Sequence, residues 1–358
     1  MQLWPQDSFD KDPSKNTETD ASKRLQRNRL LLSCGAAAGV SSGFNAPLSG
    51  VFFALEVVQA SLPTRVISGS SNIEGNESSD ENLNESYTIE QENLTLDQGS
   101  IAAILTSSVL SAYVSRIILG NELALELVTY SIRTPLLELP LYIVLGAFCG
   151  FVAVVFSQTA KLMKSFFAGK IGPEWIPETL DELPIQIQPV LGGITCGVVG
   201  TFFPQVLFFG YETLNTLLKN DDLPTDLIFE LLFVKIFTTA VSAGSGLVGG
   251  TLAPSLFLGG MAGASFHSVV EFVLLHIPSE FDLLGTGFEL ADVPAYAMVG
   301  AASTLAALFR APLTASLLLF ELTRNYDVLL PLLVSAGVAS LGSDILESNI
   351  ETRKAASS

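Results

Sequence analysis

Gly35-Ala36-Ala37, Phe44-Asn45-Ala46-Pro47-Leu48-Ser49 and Glu56 return 265 residues later as Gly300-Ala301-Ala302, Phe309-Arg310-Ala311-Pro312-Leu313-Thr314 and Glu321. Over the 22 ungapped positions from Gly35 to Glu56 eight are identical, and in both copies a proline opens an apolar helix with an acid nine residues further on. So wide a spacing is not a solenoid period. Paired interrupted helices in two halves of an apolar chain mark a transporter or channel built from two related repeats, with its site where they meet. Gly35, Gly39, Gly43 and Pro47 divide Leu30 to Gln59 into two helices broken in the middle.

The rest of the chain places that repeat in a bilayer. Of 358 residues 49% are apolar and 15% charged, with a mean hydropathy of +0.47; soluble domains carry about 25% charged residues. Leu139 to Ala160, Ile185 to Tyr211 and Ile236 to Val270 contain no Asp, Glu, Lys or Arg, and each exceeds the roughly 20 residues that cross a hydrocarbon core as a helix. Ile101 to Leu119, Leu139 to Ala160, Ile185 to Leu207, Ile228 to Ala243, Leu252 to Leu275, Val293 to Leu308, Pro312 to Leu322 and Val328 to Leu341 read as helical membrane segments. Several are too short to span, which is tolerated only where loose backbone is buried in protein or lines a cavity. The fold expected is therefore an all-α polytopic membrane protein with broken, partly non-spanning helices in an inverted repeat. The pairs Gly146 with Gly150, Gly193 with Gly197 and Gly259 with Gly263 are read as helix contacts.

A net charge of -18 excludes a nucleic-acid partner, because phosphate neutralisation needs a basic face. Much of the excess is local: no basic residue lies between Arg65 and Arg116, where eight acids fall from Glu74 to Asp97. Residues 1–30 read as a polar tail without signal-peptide order, 31–60 as the end of a first repeat, 61–100 as an acidic disordered loop with sequons at Asn76, Asn84 and Asn93, 101–343 as the main membrane domain and 344–358 as a polar C-terminal tail. Cys34, Cys149 and Cys196 lie apart in apolar surroundings and read as buried fillers. No metal site or cofactor is expected. His267 and His276 have no partner at catalytic spacing, so no catalytic residue is assigned.

Glu56 and Glu321 sit inside apolar stretches, where an ionised group is costly and functional by default. A fixed polar link to a helix end or to a loop backbone suits two symmetric copies better than an ion-coupling role. Lys235, in another apolar run, reads as paired or snorkelling rather than as a substrate ligand.

Ala243-Gly244-Ser245-Gly246-Leu247-Val248-Gly249-Gly250-Thr251-Leu252-Ala253-Pro254 carries the chemistry. It contains GxGxxG, but without the soluble βαβ unit that a dinucleotide site needs. It is not a phosphate loop, since Gly250 stands where the lysine belongs. What remains is a chain reversal at membrane depth that opens a helix near Thr251. Glycines let bare N–H groups approach a ligand, and the helix N-terminus adds partial positive charge. The expectation is an anion site without a lysine, whose amide dipoles bind weakly and release.

Three motifs in order resemble the CLC chloride channels and chloride/proton exchangers over about residues 30 to 343. Gly39 to Gly50 followed by Glu56 resembles the passage between that family's helices G and H, Gly244-Ser245-Gly246 through Pro254 resembles its anion-site motif at the start of helix N, and Phe309 to Thr314 through Glu321-Leu322-Thr323 resembles its helix O to P passage. The acidic insert and plain C-terminus resemble a plant organellar branch. The resemblance implies chloride or nitrate held by the backbone amides of Thr251 and Leu252, beside Gly249 and Gly250, with Gly244, Ser245 and Gly246 shaping the turn. The family's pore serine and gating glutamate motifs belong upstream of residue 39. The chain therefore reads as a shortened member with an incomplete first repeat, lacking also the pore tyrosine and a cytoplasmic CBS pair.

Glu56 aligns beside the family's internal proton-transferring acid, whose own position is Val57, so passive conduction is expected over proton-coupled exchange. The alternative is a non-conducting chain that modulates a full-length relative. The resemblance further implies a homodimer, or a heterodimer with such a relative, in the bilayer of an intracellular organelle, chloroplast included.

Overall fold

The computed structural model describes residues 13–61, 98–120, 138–169, 187–220, 223–276 and 290–357. Helix α1 spans Pro13–Phe44, and α2 spans Pro47–Phe53 and runs through a π-turn at Ala54–Val58 to Ser61. Then follow α3 (Gln98–Leu119), α4 (Leu139–Phe167), α5 (Gln188–Phe202), α6 (Tyr211–Leu218), α7 (Thr225–Gly244), α8 (Leu252–His276), α9 (Val293–Phe309), α10 (Pro312–Thr323) and α11 (Leu329–Ser357). Among the described residues there is no strand. Helices α3, α4, α7, α8 and α11 are long and apolar enough to cross a membrane, whereas α2, α5, α9 and α10 are shorter. The protein is an all-α, multi-pass membrane protein. Most of the acidic segment, with its three sequons, lies outside the described residues. Helix α1 takes in part of the polar N-terminal stretch, and α11 continues through 344–357.

The repeat is visible in the backbone. Asn45 and Arg310 both take the left-handed conformation, at φ 53° and 54°. Ala46 and Ala311 follow in matching extended geometry (φ -124°, ψ 79° and φ -131°, ψ 71°). Pro47 and Pro312 then start the next helix, where the missing N–H costs nothing. In each copy the alanine N–H reaches back five residues, Ala46 to the Ser41 carbonyl and Ala311 to the Ala306 carbonyl, at 3.3 and 3.2 Å.

Small residues set how closely the helices pack. A Cβ on Gly259 or Gly300 would collide with the opposing backbone, and one on Gly263 would meet Tyr296 and Ala297, so α8 and α9 touch main chain to main chain. Gly146 and Gly150 do the same for α4 against Ser335 and Ala339 of α11. Between α9 and α11, Ser303 Oγ donates to Ser335 Oγ at 2.7 Å. Helix α9 is buried along nearly its whole length, which is what lets a helix too short to span remain at membrane depth.

Gly193 and Gly197 depart from expectation: both face open space. The contact stripe of α5 lies one residue earlier, where Gly192 meets Ser245, Cys196 Sγ donates to the Thr238 carbonyl at 3.5 Å and Gly200 meets Leu207. One residue is a 100° rotation on a helix, so the neighbouring glycine pair is turned away from the bundle. The cysteines also differ from one another, since Cys149 is buried and Cys34 and Cys196 are half-buried.

The corner of α4, α8 and α9 holds an acid that the sequence reading passed over. Glu138 is fully buried and accepts from Tyr142 Oη at 2.9 Å, with Tyr296 Oη at 3.5 Å. His267 packs edge-on to Tyr296, and its Nε2 lies 3.0 Å from the Ala291 carbonyl.

The α8–α9 crossing sets the first expectation. Gly300→Val drives two methyl groups into the α8 backbone and should destabilise by about 3 kcal/mol, the upper end of overpacking, with loss of the monodisperse peak in detergent. Gly193→Ala, facing open space, should leave the melting temperature unchanged or slightly higher. Equal tolerance of both would refute the close crossing.

Candidate functional site

The two repeat acids are exchanged between the repeats. Glu56 Oε2 accepts from the Thr314 N–H at 2.7 Å and from Thr314 Oγ1 at 2.6 Å, while Oε1 accepts from the Leu313 N–H at 3.2 Å. Glu321 repeats this on the other copy, accepting from the Ser49 N–H at 2.8 Å, Ser49 Oγ at 2.6 Å and the Leu48 N–H at 2.9 Å. Each carboxylate thus caps the first turn of the other repeat's helix, where orphan N–H groups and the helix dipole favour a negative charge. The polar-link reading describes both acids. The π-turn at Ala54–Val58 contains Glu56; Val57 follows within it.

The Gly-rich turn has two parts. Gly244, Ser245 and Gly246 close α7: the Ser245 N–H donates to the Val241 carbonyl at 2.9 Å, and the Leu247 N–H reaches the Ser242 carbonyl at 3.2 Å. Gly246 has φ +87°, which suits only glycine, and a Cβ on Gly244 would strike the Met163–Lys164 backbone. These residues therefore shape and seat the turn.

Gly249, Gly250 and Thr251 form the second part. They are exposed, and the glycines have nothing within 4 Å of where a Cβ would stand. The first bond into the next helix is the Ser255 N–H to the Thr251 carbonyl, at 3.0 Å. Among the described residues, the N–H groups of Gly249, Gly250, Thr251 and Leu252 donate to no protein acceptor. Helix α8 thus begins uncapped, in contrast to α2 and α10.

Gly249 and Gly250 open onto a cavity of about 300 Å³, walled also by Cys196, the 206–209 segment, Lys235, Thr238, Thr239, Ser242 and Pro254. Lys235 is 2% exposed. Its ammonium donates to the Val206 carbonyl at 2.7 Å and the Phe208 carbonyl at 2.9 Å, and lies 5.0 Å from the Phe257 ring centroid. The pairing expected of Lys235 is present, but with carbonyls instead of a carboxylate. The structure also places Lys235 on the wall of the cavity that the glycines open onto, a neighbourhood that nothing in their spacing announces. Glu56 and Val57 are not among the residues lining it.

The architecture is that of a multi-pass membrane bundle with two broken, mutually capped repeats and a helix start whose bare glycine amides border a cavity. The family model described as "Voltage gated chloride channel" matches residues 14–70 and 87–344, and the chain belongs to that CLC family. It is 36% identical over 331 residues to chloride channel protein CLC-e of Arabidopsis thaliana, covering 91% of this chain and 41% of that protein. It is 28% identical over 330 residues to the H(+)/Cl(-) exchange transporter ClcA of Salmonella arizonae, covering 90% and 57%. A solved slow cyanobacterial Cl-/H+ antiporter has the same fold at a TM-score of 0.59 and 22% identity, over 88% of this chain and 61% of the other. The chain spans about two fifths of the length of its plant relative.

The exchanged caps predict matched losses. Glu56→Gln and Glu321→Gln each convert charge-assisted bonds to neutral ones and should each lower stability by about 2 kcal/mol. Ser49→Ala and Thr314→Val should each lower it by about 1 kcal/mol. Thermal unfolding in detergent checks this; a large effect in one repeat and none in the other would show that only one cap matters.

Proposed function

We propose that the chain builds part of an anion pathway, with chloride or nitrate held by the N–H groups of Gly249, Gly250, Thr251 and Leu252. The observation that carries this is the run of undonated amides at the start of α8, of which Gly249 and Gly250 line a cavity of about 300 Å³. Orphan amides at a helix N-terminus are an anion site in waiting, and main-chain dipoles bind without the tight hold of a direct ion pair. Gly244, Ser245 and Gly246 hold the turn; residues 101–343 form the working membrane domain.

Conduction in this reading is passive. Glu56 is committed to three donors on α10, and Val57 cannot carry a proton. Relatives named as proton exchangers make this a real choice, decided in proteoliposomes: a chloride gradient should drive no stoichiometric proton flux. Proton movement opposing chloride at a fixed ratio would reject the passive reading.

The site itself is tested by chloride titration of the purified chain. Thr251→Ala keeps every amide and should retain affinity within about twofold. Gly250→Pro removes one N–H and restrains its neighbour, and should abolish binding. Equal, complete loss in both would assign the site to the hydroxyl.

A second reading rests on α3, whose exposed side carries Leu110, Tyr113, Ile117 and Ile118, each more than 60% exposed. That face suits a homodimer or docking on a longer family member, with the chain itself conducting little. We place it in an intracellular organelle membrane, the chloroplast first, as imaging of a tagged chain would test. Co-purification with the longer relative and no current alone would favour the modulatory role; robust anion current from the purified chain would reject it.

A further inference from the structure

Three apolar helices end at one corner of the bundle, and the first charges beyond them meet there. No Asp, Glu, Lys or Arg occurs from Leu139 to Ala160 in α4 or from Val293 to Phe309 in α9, and Lys161 and Arg310 are the residues that follow. In α11 Leu329 to Ser343 are uncharged, and Asp344 and Glu347 come next. The 22 uncharged residues of α4 rise about 33 Å along the helix, enough to cross a hydrocarbon core, so these charges stand at headgroup depth. They surround a second cavity, of about 260 Å³, whose lining joins apolar residues of α4 and α9 to Ser157, Lys161, Arg310 and Glu347. It shares no lining residue with the cavity beside Gly249 and Gly250.

One carboxylate there serves two cations. Glu347 accepts from Ser157 Oγ at 2.9 Å and from Arg310 Nη2 at 3.0 Å, and stands 3.6 Å from the Lys161 ammonium; Arg310 Nε pairs with Asp344 at 2.9 Å. Among the described residues, Arg310 Nη1 and the rest of the Lys161 ammonium have no further acceptor. Their side chains are 61% and 55% exposed, so a ligand can reach both. The lining thus carries two positive charges against one negative, in a protein whose net charge is -18. A planar fork of donors beside a compact ammonium suits an oxyanion with several oxygens better than a spherical halide. We propose that this cavity is a binding site for an anionic phosphate group, held by Arg310 and Lys161. The apolar part of the lining and the headgroup depth favour a phospholipid as its source over free phosphate. Arg310 is also the left-handed residue at the break between α9 and α10, so an occupant braces the second repeat's break from the membrane face.

The same charges tie α4, α9 and α11 together, so the test must separate ligand binding from scaffolding. Melting temperature of the purified chain in detergent is titrated with dioctanoyl phosphatidate, dioctanoyl phosphatidylcholine and inorganic phosphate at constant ionic strength, and retention of lipid is read by native mass spectrometry. Phosphatidate should bind, phosphatidylcholine should not, and inorganic phosphate should compete. Lys161→Gln, at an exposed position, should weaken phosphatidate by about tenfold. Glu347→Gln removes the competing carboxylate and should tighten it by about threefold although the variant loses two ion pairs, a gain that a purely structural role does not give. Should Glu347→Gln not give monodisperse protein, Asp344→Asn carries the same expectation. A response to inorganic phosphate with none to phosphatidate would keep the phosphate site and reject the lipid as its source. No response to either, equal affinity for phosphatidate and phosphatidylcholine, wild-type affinity in Lys161→Gln, or weaker binding by Glu347→Gln would each overturn the proposal.

Discussion

Two carboxylates, each capping a helix that belongs to the other repeat, are the constraint on which the bundle depends. A helix that begins at membrane depth has three or four N–H groups with no intrahelical acceptor and no water to replace it. A carboxylate at the same depth has the opposite deficit. Glu56 on Leu313 and Thr314, and Glu321 on Leu48 and Ser49, cancel both deficits twice over. The short hydroxyl bonds from Thr314 and Ser49 complete each site. Because every bond crosses between repeats, α2 and α10 are held to one another's ends, and the apolar helices pack around that fixed crossing.

Against this background the start of α8 stands out. The fold spends an acid on each of α2 and α10 and none on α8, whose bare glycine amides border a cavity. A capped end is occupied scaffold, whereas an uncapped one is free to exchange ligands. The Gly244–Gly246 turn, wedged against Met163 and Lys164, keeps that end in place without reaching into the cavity.

What was legible in the sequence was legible for a physical reason. Proline forbids one backbone bond wherever it stands, so Pro47 and Pro312 announced their breaks, and acids at equal spacing behind them announced a shared role. Most helix spans followed from apolar run length alone. Gly193 and Gly197 misled because a small-residue pair marks a face without naming which of two adjacent faces is inward, and Gly192 and Gly200 bracket the inward one. Helix α6 was missed because it is one short amphipathic turn pair begun by left-handed Gly210, at φ 77°. The extent of α11 was hidden by its charges: Asp344 and Glu347 look like a polar ending, yet they pair with Arg310 at 2.9 and 3.0 Å, and Glu347 also with Lys161 at 3.6 Å, so the helix continues. Lys235 illustrates the deeper limit, since its apolar neighbours predict burial but only tertiary structure says which cavity it borders.

The exchanged caps also have a consequence for how the chain is made. Glu56 and Glu321 are separated by 265 residues, and at roughly 5 to 20 residues per second a ribosome takes on the order of 15 to 50 s to cover that distance. Throughout that interval the early repeat has a helix end lacking its acceptor and an acid lacking its donors. Neither fault can be mended locally, because the remedy for each lies in sequence not yet translated. Both caps can close only once the second broken helix pair has been made, so the first pair cannot reach its final packing on its own.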